Sequence, residues 1–116
     1  MTIPLSQKLL SYELTRLTGV DYDDIRVRRV ADAIAQAAAW TMTQLVFHDL
    51  ATGEVSERTK EAARGLIRGL ATAMRAAGDY PVVPSDAYNE LTWLPEKYVF
   101  WLTEEYREAA AARASA

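Results

Sequence analysis

The sequence contains no cysteine and a single histidine, which removes several common routes to catalysis. Without thiols the chain forms no disulfide, no zinc–thiolate site and no thiol nucleophile. None of its 5 glycines belongs to a glycine-rich loop that would cradle a phosphate. The serines lack the flanking glycines of a nucleophile elbow. These absences argue against an enzyme, and we expect neither a metal site nor a cofactor.

Long apolar runs are also missing. Polar residues interrupt every apolar segment well short of the length that crosses a membrane. Residues 1–4 lack the basic region with which a signal peptide begins. We therefore expect a cytoplasmic protein without membrane contact, and the lack of cysteine fits a reducing compartment.

What the chain does have is apolar residues at helical spacing over most of its length. Its 116 residues suit one domain, 1–116, and 50% hydrophobic with 25% charged residues is typical of globular proteins. No segment alternates with the period of two that marks strands. The sequence predicts an all-α single-domain bundle of four to five helices, with residues 113–116 frayed.

Proline, glycine and capping residues divide the chain into these helices. Gly19 ends the first helix, the acidic cluster 21–24 introduces the second, and Ser56 is the expected N-cap of the third. Pro95 either starts the last helix or bends a longer one. The second and third helices are expected to form a central antiparallel hairpin. The second helix is expected to follow the acidic cluster and to end at about 51, and the other predicted helices span about 4–18, 57–77, 86–93 and 95–112.

The second and third helices show apolar residues on more than one side. On the second, Trp40 and Phe47 project away from the main apolar side, as in a central helix or one shared with a neighbour. The third carries a strip of small residues in which Gly65 and Gly69 suggest the close approach of a second backbone. The main side of the second helix is predicted to comprise Val27, Val30, Ile34, Ala37, Ala38, Thr41 and Leu45. That of the third comprises Ala63, Leu66, Ile67, Leu70 and Met74.

On the last helix, Phe100 and Trp101 also project away from the coherent apolar side. Leaving such side chains in water forgoes about 1.5–3 kcal/mol each. Either the segment 79–93 folds over them, or they anchor an interface, where aromatic residues are enriched. The leading hypothesis is a non-enzymatic helical protein that self-associates, with a dimer favoured, and binds a protein partner as an accessory, regulatory or adaptor factor. The predicted interface comprises Trp40, Phe47, Gly65, Gly69, Phe100 and Trp101.

A small-molecule or metabolite-binding protein, or a minor enzyme, is the first alternative. Glu13 falls within a leucine stripe, so it must lie at a rim, be protonated or pair with a cation such as Arg26 or Arg29. His48 lies near the apolar side of its helix, and Asp49 projects about 100° away from it. An aromatic pocket containing Glu13 or His48 is therefore the site that this alternative requires.

A nucleic-acid binder is the second alternative, because the third helix carries a basic strip suited to phosphates. The strip comprises Lys60, Arg64, Arg68 and Arg75. Glu57 and Glu61 share that strip and can neutralise it, the helix has no Asn or Gln to read bases, and the net charge of the chain is −3. Binding to nucleic acid is therefore disfavoured.

Overall fold

The computed structural model describes residues 3–80 and 93–115, and within them it contains four α-helices and no strand. The helices are α1 (Leu5–Thr18), α2 (Ile25–Thr52), α3 (Glu57–Ala77) and α4 (Leu94–Ser115). The all-helical fold predicted from the sequence is therefore confirmed for this part of the chain. The predicted short helix over 86–93 falls almost wholly outside the described residues.

The helix ends follow the capping residues in the sequence. Gly19 closes α1 with a φ of 70°, in the left-handed region that favours glycine. The Asp24 carboxylate accepts from a backbone N–H in the first turn of α2, and the Ser56 hydroxyl accepts from Thr59 at 3.2 Å in α3. Pro95 lies in the first turn of α4, where its missing N–H costs no hydrogen bond.

The helices α2 and α3 form the central hairpin, joined by residues 53–56, and they pack together more extensively than any other pair. Every helix contacts each of the others, so a single apolar core is shared by all four. Its largest fully buried side chains include Leu10, Leu14, Met42, Ile67, Met74, Leu94, Tyr98 and Leu102. Among the described residues, no helix is both long and apolar enough to cross a membrane.

The buried side of α2 is not the predicted one. Thr41 and Leu45 were expected to face the core, yet both are exposed, whereas Met42 is fully buried. The observed side lies about a quarter-turn further round the helix. The prediction was wrong because alanines occur on several sides of this helix between positions 31 and 39. Few large apolar residues there indicate which side faces the core. The buried residues are Val27, Ala31, Ala35, Ala38, Ala39, Met42 and Val46.

Candidate interaction surface

The outward side of α2 is unusual for a helix side that faces water. Trp40 is 72% exposed there. Between positions 33 and 47 the helix contains no Asp, Glu, Lys or Arg, although a water-facing helix side normally carries them. Six exposed residues at helical spacing form what we name the α2 stripe. They are Ala33, Gln36, Ala37, Trp40, Thr41 and Gln44.

A groove of about 1590 Å³ separates the α2 stripe from α1. On the α1 side it is lined by Pro4, Ser11 and Tyr12, and the Tyr12 side chain is 63% exposed. Small-molecule sites are typically about 300–1,000 Å³ and enclose most of their ligand. Because this groove is larger and many of its lining side chains are exposed, it suits an elongated macromolecular occupant such as a helix.

The two ends of α2 differ in charge. Arg29 lies one turn before the stripe and on the same side, and Glu54 follows the last turn of the helix; both are exposed. Neighbouring arginines are held by ion pairs, such as Arg26 with Asp79 at 2.7 Å. Within residues 3–80 and 93–115, neither Arg29 nor Glu54 has such a partner. The uncharged stripe is thus bounded by a cation at one end and a carboxylate at the other.

The four aromatic residues predicted for an interface do not lie together. Phe47 packs edge-on against Tyr106, with ring centroids 5.2 Å apart, and Trp101 packs half-buried against the core. Phe100 is 53% exposed on α4, and Trp40 is exposed on α2. Two of the four therefore serve the interior of the subunit, while the two exposed ones belong to different helices.

The glycines of α3 face open space. A Cβ atom added at Gly65 or Gly69 would meet nothing within 4 Å. Among the described residues, then, no second backbone approaches α3 at these positions. The close approach predicted there stays a prediction about an interface between molecules.

The four cations predicted to contact phosphate are held in different ways. Lys60 and Arg64 form ion pairs with acidic residues one turn earlier on α3. Arg75 donates to the Thr18 carbonyl at 2.6 Å and so ties the end of α3 to the end of α1. Arg68 is exposed. Three of the four cations therefore take part in contacts within the subunit, and phosphate binding by this strip stays a prediction.

Glu13 lies half-buried at the edge of α1. Its carboxylate pairs with Arg16, one turn later on the same helix, at 2.6 Å. Neither Arg26 nor Arg29 of the next helix reaches it, because Arg26 pairs with Asp24 instead. This geometry gives Glu13 a structural contact, and a ligand-binding role for Glu13 or His48 stays a prediction.

Asp49 and His48 point to different surroundings, as their spacing predicts. The Asp49 carboxylate accepts from the Ser56 N–H at 3.0 Å and from the Thr59 hydroxyl at 2.7 Å. These hydrogen bonds hold the pKa of Asp49 below its ordinary value. His48 is exposed. Asp49 therefore fastens α2 to the first turn of α3 and does not orient the imidazole.

Few polar side chains are buried in the interior of the described part of the chain. Burial raises the pKa of Tyr98, the nearby Glu105 adds to this, and the Tyr98 hydroxyl lacks a hydrogen-bond partner within the described part of the chain. The phenol therefore stays neutral at physiological pH. In the same part of the chain, no three His, Asp or Glu side chains cluster as a metal site would require.

Sequence reasoning singled out Trp40 but missed its surroundings. The neighbouring glutamines and Tyr12 were not recognised as one surface, because only the packing of α1 against α2 brings them together. The sequence contains one signal that indicates this surface, namely the run without Asp, Glu, Lys or Arg between Asp32 and Asp49. No family model, curated protein or solved structure matches this chain. Its function is therefore inferred from its surface.

Proposed function

We propose that the protein is a non-enzymatic interaction protein. It self-associates through the surface formed by the α2 stripe and α1, and in that form it binds a protein partner as an accessory, regulatory or adaptor factor. The observation that carries this proposal is the 72% exposure of Trp40 in the middle of a charge-free helix side.

Two independent features of this surface support an interface. Tryptophan and tyrosine are enriched in the buried centres of interfaces and charged residues are depleted there. Trp40 and Tyr12 are exposed, and the α2 stripe carries no charge, although Lys8, Arg16 and Asp32 also line the groove. Buried interface tryptophans are frequently the residues whose truncation costs most, about 2 kcal/mol or more.

Sedimentation equilibrium over a concentration series tests the proposal. We expect the average mass to rise above the 12.9 kDa of one chain as the concentration increases. Trp40→Ala should weaken association by about 30-fold or more, which corresponds to about 2 kcal/mol. Ile25→Ala is the matched control, because Ile25 is also an exposed apolar residue of α2 but lies outside the stripe.

Two results would contradict the proposal. A wild-type chain that stays at 12.9 kDa up to millimolar concentration does not self-associate. Association that survives Trp40→Ala unchanged uses another surface, and Phe100→Ala would then identify α4 as the alternative.

A further inference from the structure

We infer that the α2 stripe takes a second copy of the same chain, with the two α2 helices antiparallel and related by a two-fold axis within one turn of Trp40. This inference rests on the proposed self-association. It adds that the partner is a second copy of the chain, that the two α2 helices are antiparallel and that the two-fold axis passes near Trp40.

The polar chemistry of the stripe fits a copy of itself. In a two-fold interface the same patch occurs on both subunits, so any group near the axis meets its own kind. Carboxylates and ammonium groups repel in that position. The side chains of Gln36, Thr41 and Gln44 each carry both a donor and an acceptor and can pair with one another. A charged partner would find no ion to pair with within the stripe itself, because the charged residues of this side, Arg29 and Asp32, precede it.

The sizes of the side chains also complement each other. Ala33 and Ala37 lie two turns and one turn before Trp40 on the same side of the helix, and all three are exposed. The two small alanine side chains leave a depression in the helix surface next to the large indole of Trp40. When a second α2 lies antiparallel with the axis between Trp40 and Thr41, its Trp40 lies opposite Thr41 and one turn from the small side chain of Ala37, and the reverse contact forms by symmetry.

The charges at the ends of α2 favour the antiparallel direction. In a parallel pair, Arg29 would lie beside its own copy, and so would Glu54. In an antiparallel pair with the axis between Trp40 and Thr41, position 29 lies opposite position 52, close to Glu54 of the second copy. Opposite charges then lie close together at both ends of the helix pair, and the two helix dipoles run in opposite directions, which is favourable. Neither residue forms an ion pair within the described part of its own chain.

Charge reversal tests the direction directly. We expect Arg29→Glu and Glu54→Arg each to weaken self-association by about two- to fivefold, as exposed ion pairs do, and the double variant to recover the wild-type affinity. In a parallel dimer each single variant only exchanges one pair of like charges for another, so neither single variant would weaken association and the double variant would have nothing to recover.

Nitroxide labels test the register, and the absence of native cysteine makes single-site labelling straightforward. Labels are placed at Ala33→Cys, Thr41→Cys and Ala51→Cys, and the distance between the two copies is measured by pulsed electron resonance. In the antiparallel dimer this distance is shortest at position 41 and grows along the helix axis by about 3 Å for each residue away from the two-fold axis.

The outcomes separate this inference from the proposed function. A minimum distance near position 41 together with recovery in the double charge variant supports the antiparallel pair. Equal distances at all three positions, or a double variant as weak as the single ones, would overturn it while leaving self-association intact. A wild-type chain that is monomeric in sedimentation would overturn both.

Discussion

The outward sides of α2 and α3 differ sharply, although both helices pack against the same core. The outward side of α3 carries ion pairs one turn apart, Glu57 with Lys60 and Glu61 with Arg64, which is typical of a helix in contact with water. The outward side of α2 carries no charge between positions 33 and 47, and it exposes Trp40. The shared core cannot account for this difference, which is why we place the interaction surface on α2.

The first and largest prediction tests which side of α2 faces the core. Met42 is fully buried, whereas Leu45 is 37% exposed. We expect Met42→Ala to lower the free energy of unfolding by about 2–5 kcal/mol, because it opens a cavity in the core. Leu45→Ala is the control and should cost about 1 kcal/mol or less. Urea denaturation in dilute solution measures both changes. A larger loss of unfolding free energy in Leu45→Ala than in Met42→Ala would show that the side of α2 predicted from the sequence faces the core.

The same comparison explains how far the sequence could predict the fold. On α3 the charged residues mark the outward side, and the buried positions of Ala63, Ile67 and Met74 were predicted correctly. On α2 no charged residue marks an outward side between 33 and 47, so periodicity alone placed the buried side about a quarter-turn away. The boundaries of α1, α2 and α3 were predicted well because they depend on local capping residues, whereas α4 continues to Ser115, past the end predicted at about 112 and into the residues expected to fray.

The candidate surface could be predicted only in part, because contacts between helices decide it. Periodicity placed Trp40 and Phe47 together on a second side of α2, but Tyr106 of α4 packs against Phe47 and leaves Trp40 exposed. The rotation of one helix against the next sets such contacts, and no local pattern in the sequence specifies that rotation. The partner of Glu13, by contrast, is Arg16 one turn later on the same helix, a pairing that the local spacing could have indicated.

The second prediction concerns the inner edge of α2, where Asp49 holds the first turn of α3. We expect Asp49→Ala to destabilise the protein at neutral pH, by less than Met42→Ala, because the Ser56 N–H and the Thr59 hydroxyl lose their acceptor. The pKa of Asp49 is lower in the folded protein than its ordinary value of 3.8. Its contribution is therefore complete above pH 3.8 and is lost as the pH falls through the folded-state pKa.

Chemical denaturation across the acid range checks this sign. The difference in unfolding free energy between wild type and Asp49→Ala should shrink as the pH falls below 3.8. The control is Asp23→Ala, because Asp23 is almost fully exposed and forms a long ion pair of 3.5 Å with Arg28. A difference between wild type and Asp49→Ala that stays constant down to pH 2 would show that these hydrogen bonds do not depend on the charge of Asp49.

The third and smallest prediction concerns the glycines on the outward side of α3. Because an added Cβ at Gly65 or Gly69 meets nothing within 4 Å, we expect Gly65→Ala and Gly69→Ala each to raise the free energy of unfolding by about 0.5–1 kcal/mol. Gly19→Ala is the opposite control, since the φ of 70° at that position strains any side chain and should destabilise the protein.

The effect of the same two variants on self-association decides between the two outward sides. If the second copy lies on the α2 stripe, alanine at Gly65 or Gly69 leaves the association constant unchanged. If α3 instead approaches another backbone there, as the small residues suggest, the added methyl groups separate the helices and weaken association. Loss of association in Gly65→Ala, with Trp40→Ala unaffected, would therefore move the interface from α2 to α3 and show that an uncharged helix side can face water in this protein.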